Sequence, residues 1–138
     1  MSPSGLALIG YAAWTLLLST ALLAYRTMLV LTKQRAANSF SPSGEDVSPF
    51  SARLCRAHAN CYENLPVFGA LILISLVTDH AAITDPLARW VLVARVAQSS
   101  VHLTSTSETA VTVRGTLYWP QLGVQAYWVV QLGLLGFG

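Results

Sequence analysis

Charge is what this sequence has least of. Only 10% of its 138 residues are charged, against roughly 25% in soluble globular domains. Without that polar surface the chain cannot remain dissolved as a monomer. A net charge of +2, with no run of basic residues, excludes an electrostatic nucleic-acid reader. Cysteine is equally scarce. Cys55 and Cys61 are the two, and on one helix they would stand roughly 9 Å apart along the axis, beyond disulfide reach. No partner set of His or Cys completes a metal site around them, so both are expected to be small packing residues.

Hydrophobic residues fill the gap, at 54% of the chain and a mean hydropathy of +0.53. Residues 5–25 and 115–138 carry no charge at all. Each stretch reaches the roughly 20 residues that cross a bilayer. The first lacks the basic start and small-residue cleavage site of a signal peptide and is expected to stay in the protein.

These patterns predict an all-α, integral membrane four-helix bundle forming a single domain over residues 1–138, with helices near 6–31, 49–77, 86–105 and 114–137. Ser48-Pro49 and Asp85-Pro86 each give a cap followed by proline at the first helical position, opening the second and third helices. Pro120 is expected in the first turns of the fourth. Lys33, Arg35, Arg53 and Arg56 flank the first loop, and Arg114 ends the third. The second loop sets only Arg89 against Asp79 and Asp85. By the positive-inside rule, loops one and three are cytoplasmic, with both termini and loop two outside.

The second helix is not a plain span, because its uninterrupted apolar part, residues 65–77, is too short to cross alone. At 100° per residue, Arg53, Arg56, Asn60 and Glu63 fall within about 80° of one another. Arg95, Gln98, Ser99, His102 and Thr106 form a similar stripe on the third helix, over about 100° of arc. A charge at mid-membrane costs about 2.5–3.5 kcal/mol on insertion scales, so such groups face a bundle interior, a partner or water. Two readings follow. Either Arg56 and Glu63 neutralise each other while Arg53 and Arg95 snorkel, or the stripes line a polar ligand site at membrane depth.

The string Arg56-Ala57-His58-Ala59-Asn60-Cys61-Tyr62-Glu63-Asn64-Leu65-Pro66, followed by Val67 and Phe68, closely resembles the second-helix signature of the MAPEG family, membrane-associated proteins in eicosanoid and glutathione metabolism. Ala37-Asn38-Ser39-Phe40 and Pro42 are similar to the first loop of its bacterial members. The sharp match covers residues 35–68, while length and span count agree over the whole chain.

This resemblance implies a homotrimer that binds glutathione between subunits and uses it as co-substrate against a lipophilic second substrate drawn from the membrane lipid, as a transferase or peroxidase. By position, Arg53, Arg56, Asn60, Glu63, Arg95 and Gln98 would hold the tripeptide. Arg114 would stabilise its thiolate, with His102 and Tyr118 as hydrogen-bonding candidates. His102 stands where several eukaryotic members carry tyrosine, and the loop from it to Arg114 is slightly longer. One of Arg26, Lys33 or Arg35 would join from the first helix. A bacterial member would lie in the inner membrane.

The residue types suit the ligand. Arginine grips carboxylates with a two-point fork, Glu63 matches an ammonium, and Asn60 serves peptide groups. A guanidinium beside sulfur favours the nucleophilic thiolate. Alternatives stay open: His102 as a satisfied interhelical bond, Tyr118 as an interface anchor beside Trp119, and Asp46 as a solvated loop charge near the mouth. His58 and His80 are expected to face solvent or the interface. At the level of function, a non-catalytic glutathione- or lipid-binding relative remains. A four-span proton-coupled exporter would need an isolated titratable carboxylate, and Glu63 has two arginines on its own face, which hold it ionised.

Overall fold

The computed structural model describes residues 1–137, and Gly138 lies outside them. Four helices follow in order: α1 Pro3–Leu31, α2 Pro49–Val77, α3 Ala81–Thr104 and α4 Glu108–Leu135. No strand occurs among the described residues.

The helix ends have local causes. Ser2, Ser48 and Ser107 each accept an amide N–H three residues on, at 3.1, 3.0 and 3.2 Å, satisfying a donor that a helix start leaves free. Proline follows two of these caps directly. Two helices end in six-to-one turns on non-glycine residues. Lys33 and Asp79 both take φ of 58°, while Gln34 N bonds Leu29 O at 2.9 Å and His80 N bonds Ser75 O at 2.8 Å. These bonds occupy carbonyls that would otherwise be orphaned.

Two boundaries differ from the sequence expectation. α3 begins at Ala81 rather than Pro86, because the tight turn at Asp79 restarts the helix almost at once. Pro86 therefore sits inside α3, where it removes one helical donor. Asp85 does not cap α3. Its carboxylate takes the Ser4 amide at 2.9 Å, so it serves the start of α1 instead. α4 begins at Glu108 rather than Arg114, under the Ser107 cap, which leaves Pro120 in mid-helix rather than in the first turns.

α2 and α3 form the central pair. α1 packs on both from one side and α4 on both from the other, and α1 and α4 do not touch within the described residues. Tyr11 stacks on Phe68 at 5.0 Å, and Phe68 meets Trp128 at 6.0 Å, joining three helices through one aromatic row. Gly10 lets α3 come close: a Cβ there would lie 2.6 Å from Leu92 Cδ2.

Polarity is distributed inside out. Ser4, Ser75, Thr84, Arg95, Gln98 and Gln121 are buried, while Leu16, Leu23, Leu73, Val130 and Leu134 face outward. Ser4, Thr84 and Ser75 form a buried hydroxyl chain at 2.7 and 2.8 Å that ties α1, α3 and α2 together. An apolar exterior with polar groups gathered inside is what a hydrocarbon solvent selects. α1 and α2 are long and apolar enough to cross a bilayer by composition alone. Arg89, Arg95 and Gln98 make α3 less apolar, and Gln121, Gln125 and Gln131 do the same for α4.

Candidate functional site

The centre of the polar seam is Arg95 on α3. Its side chain is 0% exposed. Nη1 donates to the side-chain oxygen of Asn60 and, at 3.4 Å, to the Asn60 carbonyl. The guanidinium lies over the rings of Tyr11 and Tyr118, at 5.7 and 5.5 Å. Such cation–π contacts offset part of the cost of removing the charge from water. Nε and Nη2 have no partner. These two N–H groups form the side-on edge of the guanidinium, the edge that grips a carboxylate at two points.

Other polar side chains surround this group. Asn64 Nδ2 reaches the Asn60 carbonyl at 3.3 Å and the Tyr118 hydroxyl at 3.5 Å. Gln121 Nε2 donates to Gln98 Oε1 at 3.0 Å, and the Ser99 hydroxyl meets the Cys61 thiol at 3.1 Å. Both cysteines are free and buried. Tyr11 donates to the Cys61 carbonyl at 3.3 Å.

Toward the loop-one end the seam becomes more exposed. Arg114 Nη1 lies 2.8 Å from His102 Nδ1. Arginine can only donate, so Nδ1 accepts and the ring proton sits on Nε2. Arg53 Nε donates to the Leu103 carbonyl at 3.0 Å, at the negative end of the α3 dipole. Arg53, Arg56, Pro49, Ala52 and Thr106 line a recess of about 130 Å³.

The four-residue stripe expected on α2 is thus divided. Asn60 turns inward to Arg95, and Arg53 reaches the end of α3. Arg56 pairs with Glu45 of the first loop at 3.0 Å, both side chains well exposed, and not with Glu63. Glu63 is exposed and makes no ion pair among the described residues. On α3, Arg95 and Gln98 are both buried in the seam, and on α4 Tyr118 stands beside Arg95. His58 is half-buried against Tyr62, ring centroids 5.1 Å apart, while His80 is exposed.

The three basic candidates near the end of α1 separate clearly. Arg35 pairs with Asp46 at 2.6 Å. Lys33 is exposed in its turn. Arg26 is half-buried, donates to the Ser41 carbonyl at 2.9 Å and leaves Nε unpartnered.

Gln121 and Gln125 are buried residues that the sequence reading passed over. Their signal was present. Arg114, Tyr118, Gln121, Gln125 and Trp128 recur at helical spacing of three and four, one stripe through an apparently plain span.

No curated protein and no solved structure matches the chain. A model of the MAPEG family matches residues 4–134, taking in nearly all of the four helices and every residue of the seam. The chain belongs to the MAPEG family, a family of membrane four-helix bundles that includes glutathione transferases and related proteins.

Proposed function

We propose that the seam binds glutathione between subunits of a homotrimer, and that the protein uses the bound thiol against lipophilic electrophiles or lipid hydroperoxides. The observation that carries this reading is the free side-on edge of Arg95. A fully enclosed guanidinium with two unused donors is costly unless an acceptor meets it in some state of the protein. A carboxylate of the tripeptide is the matching group. Asn60 and Tyr118 must turn aside to admit it, because Arg95 has no exposed area in this state.

The other roles follow from chemistry. Arg53 and Arg56 at the recess suit the second carboxylate. Glu63, free of any intrachain cation, suits the ammonium. Gln98 is available to the peptide groups. Arg114 stabilises the thiolate, and neutral His102 orients it by accepting at Nδ1 while leaving its remaining N–H groups for sulfur. In conjugation the thiolate sulfur bonds to the electrophilic carbon as the leaving group departs with its electron pair. In hydroperoxide reduction the O–O bond breaks as sulfur is oxidised, and a second glutathione closes the disulfide, releasing alcohol and water. The charge bias of the loops supports a cytoplasmic side for loops one and three, at the inner membrane in a bacterial host.

Calorimetric titration of the detergent-purified protein with glutathione tests the reading. Wild type binds, and Glu63→Gln binds roughly tenfold to a hundredfold more weakly, the range for losing a hydrogen bond to a charged group. Arg114→Ala keeps affinity but loses conjugation of a chloronitrobenzene substrate. No binding by wild type sinks the proposal. Binding with neither conjugation nor hydroperoxide reduction selects a second reading, a non-catalytic glutathione sensor.

A further inference from the structure

Beside the seam, and sharing Gln121 with it, a groove of about 240 Å³ runs between α3 and α4, lined also by Trp90, Ala94, Thr116, Leu117 and Pro120 among others. It opens on the outer side of the pair, where Trp90 is 66% exposed. No charged side chain lines it.

One side-chain acceptor at this groove lacks a partner, and one helical carbonyl loses its usual donor. Gln121 is only 1% exposed. Its Nε2 is fixed by Gln98 Oε1 at 3.0 Å and the Leu117 carbonyl at 2.6 Å, which sets the amide orientation and leaves Oε1 unpartnered. One turn earlier, the Thr116 carbonyl loses its helical donor because Pro120 has no N–H. In a hydrocarbon solvent, unmet backbone and amide oxygens are costly.

We infer that this groove binds a neutral lipophilic alcohol from the bilayer. Its hydroxyl donates to Gln121 Oε1, which is covered in this state and is reached once the Gln121 side chain shifts toward the groove, with the Thr116 carbonyl as a second acceptor, and its alkyl body lies against Trp90 and Ala94. A carboxylate or phosphate headgroup would meet two acceptors and no cation, so anionic lipids are poor occupants. The volume falls below the roughly 300–1,000 Å³ of pockets that enclose drug-sized ligands, so most of the alkyl chain stays in lipid. This site does not depend on glutathione occupying the seam.

Photolabelling of the full chain in nanodiscs with a diazirine-bearing fatty alcohol tests the inference. Label is expected within residues 90–94 and 116–124. Unlabelled decanol should compete about tenfold better than methyl decyl ether, the ratio for one hydrogen bond. That preference should fall to near one in Gln121→Leu. Ala94→Phe, which fills the groove from α3, should abolish the label there. Equal competition by the ether in wild type overturns the inference, leaving an apolar crevice only. So does absence of label with chain-to-chain cross-links through the same segments, which would mean a second copy covers the groove.

Discussion

Gly44 carries a local constraint that few positions in this chain share. Its φ of 70° is left-handed, and a Cβ there would meet Ser51 Oγ at 2.7 Å, Cys55 Sγ at 2.8 Å and the Ser51 carbonyl at 2.9 Å. The left-handed conformation alone costs a non-glycine residue roughly 1–2 kcal/mol, and the backbone contact cannot swing away. Gly44→Ala should therefore lower the thermal midpoint in detergent. Gly123, in α4 with open space around it, should do the opposite: Gly123→Ala gains helix propensity, up to about 1 kcal/mol. If both variants melt alike, packing at Gly44 is not what holds loop one to α2.

Asp46 holds the same loop electrostatically. The Ser41 hydroxyl, 2.6 Å from its carboxylate, keeps the group below its usual range, and Arg35 adds a smaller pull in the same direction. A carboxyl depressed in the fold contributes stability above its unfolded value of about 3.9, and that contribution disappears as pH falls through the lower folded value. Hydrogen-exchange protection over residues 41–47 should be flat from neutral pH down to about 5 and then fall with further acidification. Asp46→Asn should show the loosened loop already at neutral pH, with no acid transition. Solvated charge was a fair reading of Asp46 from sequence. Its pairing with Arg35 was not legible, because ten residues of irregular chain lie between the two. The same limit applied to Arg56. Helical periodicity places it on a face with Glu63, yet the loop folds back and offers Glu45 first.

At the scale of the helices, boundaries tracked how strongly their signals stand out. Ser48-Pro49 was read correctly because cap and proline agree. Asp85-Pro86 has the same form but lies inside α3, since a positive-φ residue at Asp79 had already turned the chain, and nothing in an aspartate announces that conformation. The early start of α4 was hidden by Thr109, Val111, Thr112 and Val113, which favour helix weakly. There the Ser107 cap and the acidic first turn at Glu108 decide the outcome. Ser107→Ala should cost about 0.5–2 kcal/mol and fray the first turn of α4, read as faster amide exchange over residues 108–113. Unchanged exchange would mean that packing of Ala110, not the cap, sets the start.

For the molecule as a whole, composition was the most informative level: scarce charge and long apolar runs already required a hydrocarbon surround, while of the α2 stripe only Asn60 turns in to Arg95. The depth of Arg95 was not readable, because one helix's stripe does not say which neighbour covers it. The arrangement also leaves α1 and α4 on opposite flanks, with exposed Tyr62 and Glu63 on α2 between exposed apolar faces. In the proposed trimer these surfaces meet neighbouring copies. Native mass spectrometry of gently extracted protein should give three times the 14.8 kDa chain, and a monomer that binds glutathione fully would remove the subunit interface from the site.

The Arg95–Asn60 contact also constrains how such a protein is made. Delivered to the bilayer alone, α3 would bring a permanent cation into oil with nothing to receive it. Synthesis runs from the N-terminus, so α2 leaves the ribosome first and its amide is already waiting when the guanidinium arrives. Exchanging these two helices in gene order would strand the cation at the translocon, even though every contact in the finished bundle could still be drawn.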